Sequence, residues 1–368
     1  MMNMNEKLGL KKVINASGKM TILGVSKVDD SVVEAQRLAG QSFFIMEELM
    51  EKTGSYLASL LKTEDAQIVS SASAGIVQSV AAIIGRGSHH HLYYPYDVHA
   101  LPKREIIIPK GHNVDYGTPV ELMVMQGGGV VREAGYANMC TADHIRQQIT
   151  DQTAAILYVK SHHTVQKSML SIEEAVCVAT EYSIPLIVDA AAEEDLFYYW
   201  GAGADLVIYS GAKAFEGPSS GLVIGKKQYI EWVRLQAKGL GRAMKIGKEN
   251  ILGLVTAIEN YLTVGSETGT SMKNRLAPFI SDLNEITGIL AEVVQDAAGR
   301  DIYRARIKVD VGLDTMAIIR KQQSGNPAIF TRDYQANEGV IEYDIRAVNE
   351  AEMKVIVKRL NEIISTLK

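Results

Sequence analysis

Cysteine is nearly absent from this chain: Cys140 and Cys177 are the only two among 368 residues. That excludes a disulfide framework or a cysteine-based zinc site and suits a reducing cytosol. An excess of one charge is missing too. With 38 basic against 43 acidic side chains and a pI near 6.0, the chain lacks the strongly basic footprint of a nucleic-acid binder. No apolar run approaches the roughly 18 residues needed to span a bilayer. The N-terminal string MMNMNEKLGLKK lacks the apolar core of a signal peptide. Internal repeats and low-complexity tracts are absent as well. The expectation is a soluble, cytoplasmic protein.

What is present reads as an ordinary globular chain, 47% apolar and 22% charged. Its length exceeds one hydrophobic core, so a large domain and a smaller one are expected. From about residue 30 to 62 the pattern is helical, with Leu49, Leu57, Leu60 and Leu61 on one face. Short apolar runs then alternate with amphipathic stretches: AQIVS at 66–70, REIIIP at 104–109, AAILYVK at 154–160, PLIVDA at 185–190, DLVIYS at 205–210 and GLVIG at 221–225. Several lack polar alternation, as strands buried on both faces do. Between them, 74–85 and 171–183 read as helices, the second opening on a Ser171–x–x–Glu174 capping box. Repeated strand–helix units predict an α/β, mostly parallel, doubly wound sheet with right-handed crossovers. After about residue 245 a helical pattern runs from Lys248 to about Ala298. Short strands (IYRARIKV, MAIIRK, GVIEYDI) and a closing helix follow. The expected division is an N-terminal segment with helices over 1–62, a large domain over 63–255 and a small α+β domain over 256–368.

Open α/β sheets bind ligands beyond the carboxyl ends of their strands, and three chemically loaded loops fall there. Ser70-Ser71-Ala72-Ser73-Ala74-Gly75 joins a strand to a helix. Small residues, hydroxyls and a helix N-terminus make a phosphate cradle, or equally a serine-rich cap with no ligand. Asp189 ends the strand PLIVD. A carboxylate there is costly unless a cation meets it: a nearby lysine, or a protonated ring nitrogen. Lys213 follows DLVIYS in the small-residue turn Ser210-Gly211-Ala212-Lys213, surroundings that a solvated lysine rarely has. Taken singly, each has a structural reading. Together they match the needs of pyridoxal 5'-phosphate, namely an anion cradle, a carboxylate facing the pyridine nitrogen and a lysine to hold the aldehyde. Asp189 and Lys213 stand 24 positions apart, room for one helix and one strand between adjacent strand tips. Ser210 can turn its hydroxyl to the same phosphate. Ser210–x–x–Lys213 with Lys52-Thr53-Gly54 also spells serine β-lactamase strings, but in reversed order and with no Ser-Asp-Asn.

At these residues the chain resembles the fold-type I pyridoxal phosphate enzymes, and among them the group related to bacterial selenocysteine synthase. The likeness spans VINASGKMTILG at 13–24, SFFIMEELMEKTG at 42–54, YSGAKAFEGPSSGLVIG at 209–225 and KGLGRAMKIGKENILGL at 238–254. These strings are most similar to the D-glucosaminate-6-phosphate ammonia-lyase family. The resemblance implies a fold-type I transferase-like architecture with Lys213 as the Schiff-base lysine. It makes Asp189 the ring-nitrogen partner, and Ser71, Ala72, Ser73 and Ser210 the phosphate ligands. Selenocysteine synthases carry an extra N-terminal tRNA domain and read SGDK where this chain has Ala212. With the acidic pI, these departures lead us to expect no nucleic-acid partner.

The activity implied is removal of ammonia from a phosphorylated 2-amino sugar acid, giving a 2-keto-3-deoxy sugar acid phosphate. Lys213 is the natural base for the Cα proton. Another β-eliminating lyase, an aldolase or a selenocysteine-synthase-like transferase is the alternative on the same scaffold. His112, in PKGHN, is the candidate to cover the cofactor ring. His162 and His163 are candidates for the phenolic oxygen, and His163 also for the acid that protonates the leaving hydroxyl. Each is equally a structural loop residue. For the substrate's anionic groups, Arg242 and Lys245 match basic positions of the related family. Arg332 and Arg346 offer planar forks for the carboxylate, or simple surface ion pairs. His89-His90-His91 with His99 reads as a polar loop and no metal is expected. The expected assembly is a homodimer or higher homo-oligomer with the active site at the subunit interface.

Overall fold

A computed structural model describes residues 4–101, 103–161, 163–296 and 300–367. Two compact units emerge, one spanning Val28–Gly265 and one joining the segment up to Lys27 with that from Ser266 onward. This differs from the expected three-part division. The reason is a non-local pairing: Val13–Ala16 runs parallel to Ala328–Thr331, in register from Val13 with Ala328 to Ala16 with Thr331.

The larger unit is built on a seven-stranded sheet. Its order is Asp65–Val69, Gly221–Gly225, Leu206–Ser210, Leu186–Asp189, Thr153–Val159, Glu105–Pro109 and Val130–Ala134. Gly221–Gly225 is antiparallel to both neighbours, and the remaining pairs are parallel. Alternate strand residues face opposite layers. Ile68, Ile107, Ile156, Val188, Val207 and Leu222 enter one core; Val69, Ile106, Leu157, Ile187, Ile208 and Val223 enter the other. Helices Ile172–Glu181 and Lys248–Val264 cover the first face, and Ala72–Gly85 covers the second. The 171–174 capping box forms as expected, with Ser171 and Glu174 each taking the other's backbone N–H. The strand Val130–Ala134 was not anticipated. It is an edge strand carrying Arg132 and Glu133, and only Ala134 is buried, so it lacks an apolar run.

The expected helix over 30–62 is two helices, Asp30–Gly40 and Met46–Leu61. Lys52-Thr53-Gly54 lies inside the second and serves packing. Thr53 Oγ1 donates to Leu49 O at 2.7 Å, and a side chain at Gly54 would meet Ala66 O at 2.2 Å.

The smaller unit holds a three-stranded antiparallel sheet, ordered Val340–Tyr343, Tyr303–Val309 and Ile289–Gln295. Helices Gly269–Asn284, Thr315–Ser324 and Glu350–Leu367 bury Leu276, Phe279, Ile318, Ile356 and Leu360 in the same core. Two expectations are corrected here. The helical pattern from Lys248 ends by Asn284, and Ile289–Gln295 is a strand with mixed burial. MAIIRK is not a strand but part of the helix Thr315–Ser324, whose start Asp314 caps by accepting the Ala317 N–H at 3.0 Å. Among the described residues no helix is long and apolar enough to cross a membrane.

Candidate active site

Asp189 is the last residue of its strand, with Ile208 of the neighbouring strand as its register partner. Its side chain is buried, and Oδ1 accepts the Ala191 N–H at 3.1 Å. Burial pushes this carboxyl from the ordinary 3.8 up to about 6, against the pull of the Ala191 N–H and of the Lys213 charge. Lys213 stands in the turn joining the antiparallel strands Leu206–Ser210 and Gly221–Gly225. The turn is closed by Gly211 N–H to Ser220 O at 2.9 Å and Gly217 N–H to Gly211 O at 2.8 Å. A Cβ at Gly211 would sit 2.2 Å from Ser220 Oγ and 2.6 Å from Leu254 Cδ1, so a larger residue there would have to displace those side chains. Burial holds the Lys213 amine below its usual range, and the charge of Asp189 opposes this. An acid raised and an amine lowered, each acting on the other, is the electrostatic signature of a functional site.

The two tips are laced together. Ala190 N–H donates to Ile208 O at 2.9 Å and Ser210 N–H to Ala191 O at 3.3 Å. Tyrosine hydroxyls then fix three successive residues of the following loop. Tyr199 donates to the Glu193 carboxylate at 3.0 Å, Tyr261 to Glu194 O at 2.6 Å and Tyr209 to Asp195 O at 2.9 Å. Phe215, two residues past Lys213, packs on Tyr209 and Tyr261 with ring centroids 5.8 and 5.1 Å away.

The serine loop caps the helix Ala72–Gly85. Ser71 Oγ accepts Ala74 N–H at 3.0 Å and Ser71 O accepts Gly75 N–H. The N–H groups of Ala72 and Ser73 head the helix, where an anion finds donors and the positive dipole end. Gly221 makes room for this loop, since a Cβ there would lie 2.5 Å from the Ser71 carbonyl carbon. Ser73 Oγ shares a hydrogen bond of 3.2 Å with the Tyr116 hydroxyl, and Tyr116 feels the charge of Asp189. Tyr116 is thus linked to both the cradle and the acid. The sequence offered little to find it, because the loop around Asp115-Tyr116-Gly117 has no periodicity.

His112 does not present a face to cover a ring. It is fully buried, packed edge-on against Tyr158 with centroids 4.6 Å apart, and its Nδ1 accepts the Val159 N–H at 3.4 Å. Burial first, then the charge of Lys160, lowers it to about 4, so it is neutral at physiological pH. Lys160 was likewise not singled out from the sequence. Its N–H donates to Asp189 O at 2.8 Å and its Nζ to Gln166 Oε1 at 2.6 Å. His163 is exposed on the next loop, and His162 lies outside the described residues.

Arg242 and Lys245 are exposed beside the helical turn Leu240–Arg242 and carry no ion pair with any described residue. Arg332 and Arg346 belong to the smaller unit and are matched with acids. Arg346 grips the buried Asp344 carboxylate with Nε at 2.9 Å and a terminal nitrogen at 2.8 Å. Arg332 lies 3.6 Å from Glu342 and over the Tyr334 ring at 5.0 Å. Among the described residues no group of three or more His, Cys, Asp or Glu is arranged to hold a metal. His90 pairs with Asp97 at 2.9 Å, and His91 is buried.

The donor set fits pyridoxal 5'-phosphate. Asp189 is a buried carboxylate with one backbone hydrogen bond, a match for a pyridinium N–H; the turn of Lys213 and, two strands further, the cradle lie to one side of it in the strand order. The L-seryl-tRNA selenium transferase family model matches residues 13–276. The chain is 46% identical over 98% of its length, and 98% of the other's, to D-glucosaminate-6-phosphate ammonia lyase of Salmonella typhimurium. A second relative is 5'-C-glycyluridine monooxygenase-decarboxylase from a Streptomyces species, 35% identical over 97% of this chain and 91% of that one. A solved structure of D-glucosaminate-6-phosphate ammonia-lyase covers 99% of each chain at 45% identity with a TM-score of 0.93. More distant pyridoxal phosphate enzymes share the fold alone. The chain therefore belongs to the D-glucosaminate-6-phosphate ammonia-lyase family, within the L-seryl-tRNA selenium transferase group of fold-type I pyridoxal phosphate enzymes.

Proposed function

We propose that this chain is a pyridoxal-phosphate-dependent ammonia-lyase that converts D-glucosaminate 6-phosphate to 2-keto-3-deoxygluconate 6-phosphate and ammonia. One observation carries the reading: a chain 46% identical to a lyase of that name holds a buried carboxylate and a buried amine on neighbouring strand tips.

When bound, pyridoxal phosphate supplies an electron sink for the pair left at Cα. The rest is the work of side chains. The N–H groups of Ala72 and Ser73, with the hydroxyls of Ser71, Ser73 and Ser210, hold the phosphate. Asp189 keeps a proton on the ring nitrogen. Lys213 would hold the aldehyde, and its amine, lowered by burial, would take the Cα proton. The C3–O bond breaks as His163, the candidate acid, hands a proton to the departing hydroxyl, which leaves as water. The released enamine tautomerises and hydrolyses to keto acid and ammonia. Arg242 and Lys245, exposed cations without acid partners among the described residues, take the substrate phosphate. Arg332 and Arg346 remain candidates for the carboxylate, with Arg346 already committed to Asp344. The reading includes a cytoplasmic homodimer, since exposed Phe43, Phe44, Ile45 and Met46 form a run that a second copy would cover.

The test is incubation of the holoenzyme with D-glucosaminate 6-phosphate, scored for ammonia and keto acid in equal amounts. A second reading, another pyridoxal phosphate reaction on the same scaffold, is favoured by the 35% identical relative with a different named chemistry. Turnover of another β-hydroxy amino acid, with silence on the sugar acid, would establish it.

A further inference from the structure

We propose that one stripe of the helix Lys248–Val264 braces the Lys213 turn against the loop after Asp189, with Asn250 and Leu254 as positioning residues for the amine. This rests on the reading above of Lys213 as the lysine that holds the cofactor.

Asn250, Leu254, Ala257 and Tyr261 follow the spacing i, i+4, i+7, i+11, so they share one helix face. The first three meet the Lys213 turn. Asn250 Nδ2 donates to Ser219 O at 3.1 Å, and its Oδ1 accepts from Gln36 Nε2 of the helix Asp30–Gly40 at 2.9 Å. Leu254 is fully buried and reaches into the turn. Its Cδ1 would lie 2.6 Å from a Cβ at Gly211 and 3.3 Å from one at Gly217. Those two glycines are bonded to each other and bracket Lys213. Ala257 closes the same side, 3.1 Å from a Cβ at Gly217. Beside the stripe, Gly253 lets the helix backbone lie against Pro218, whose Cγ would be 3.0 Å from a Cβ there. Tyr261 then crosses to the other tip, where its hydroxyl binds Glu194 O.

The turn needs this support. Lys213 N–H donates to Ser210 O, and Lys213 O accepts the Glu216 N–H, both at 3.3 Å, longer than the usual range of about 2.7–3.2 Å. Such bonds leave play in the backbone, and the helix face takes it up. Because one rigid helix touches both tips, it sets the spacing of amine and carboxylate more firmly than either loop can.

The experiment measures how fast apoprotein takes up pyridoxal phosphate, trapped on Lys213 by borohydride. The visible circular dichroism of the bound cofactor is the second readout. Leu254→Ala should slow uptake about tenfold or more and weaken the dichroism band. Leu254→Met, which nearly keeps the volume, should restore both. Asn250→Ala should act the same way by less, and Gln36→Ala, which leaves the bond to Ser219 in place, by less again. A folded Leu254→Ala that melts earlier, yet matches the parent in uptake and in dichroism, has only a structural role and refutes the assignment. A Leu254→Met as slow as Leu254→Ala does so too, because the role rests on filling the turn. Should Leu254→Ala not fold, Asn250→Ala decides alone. Failure of the unaltered chain to take up pyridoxal phosphate on Lys213 is a separate outcome and sinks the underlying reading.

Discussion

Replacing Asp189 by Asn should stabilise the cofactor-free protein while crippling the enzyme, and the two effects have one cause. The carboxyl is raised from 3.8 to about 6 by burial. An acid raised in the native state is protonated there at pH values where the unfolded chain has already ionised it. The native state thus binds more protons between about pH 4 and pH 6, and stability falls across that window as pH rises. Each unit is about 1.4 kcal/mol, so the roughly two-unit gap costs the apoprotein about 3 kcal/mol at neutral pH. Asn is neutral at every pH and can still accept the Ala191 N–H that Asp189 Oδ1 now takes. In apoprotein at pH 7.5, Asp189→Asn should raise the denaturation midpoint by an amount approaching about 3 kcal/mol. The gain should shrink below pH 6 and vanish near pH 4. Adding pyridoxal phosphate should erase half or more of that gain, because only the carboxylate gains a charged hydrogen bond to the ring nitrogen. Such bonds contribute about 1.5–3 kcal/mol, so turnover should fall by about tenfold to more than a hundredfold. An Asn variant no more stable than the parent at pH 7.5, or one whose advantage persists unchanged at pH 4, would refute the reasoning.

Gly221→Ala drives a Cβ to 2.5 Å from the Ser71 backbone; it should cost about 1–3 kcal/mol in stability and weaken pyridoxal phosphate binding, read by cofactor release on dilution. Tyr116→Phe removes the hydroxyl bonded to Ser73; cofactor affinity should drop about fivefold, the value of one neutral hydrogen bond, with thermal stability nearly unchanged. Arg242→Ala removes an exposed cation with no acid partner among the described residues; substrate KM should rise about tenfold or more while kcat changes little, and a kcat loss at unchanged KM would count against a phosphate-binding role.

The large unit was legible because its strands are short, apolar and buried on both faces, so each stands out without its partners. Thr153–Val159 and Gly221–Gly225 are buried at every position. Val130–Ala134, at the sheet edge, buries only Ala134 and was missed. Ile289–Gln295 failed for a related reason, since Leu290 and Val293 are exposed and the alternation is irregular. MAIIRK was ambiguous in the other direction, a four-residue apolar run whose fate Asp314 decides from outside it. The unit boundary was invisible because it depends on Val13–Ala16 meeting Ala328–Thr331, more than three hundred residues apart, and no local pattern encodes that pairing.

The site divides along the same physical line. Asp189 and Lys213 could be read because a charged residue at the end of a buried strand conflicts with its surroundings, and that conflict is written locally. Lys160 sat in one of the quoted strands and still passed unnoticed, since a lysine closing an apolar run has an ordinary explanation. Its backbone binds Asp189 on the next strand and its amine a neutral Gln166, two contacts made only in the folded chain. His112 erred the opposite way. A histidine in a loop after a strand has the right chemistry to cover a ring, but its depth is fixed by Tyr158, and that contact spans 46 positions of sequence. Residue type and strand position therefore suffice for the groups whose charge is costly where it stands. Groups whose role rests on neighbours from other strands need the folded chain, and this is why the cofactor was easier to read than the way its ring is held.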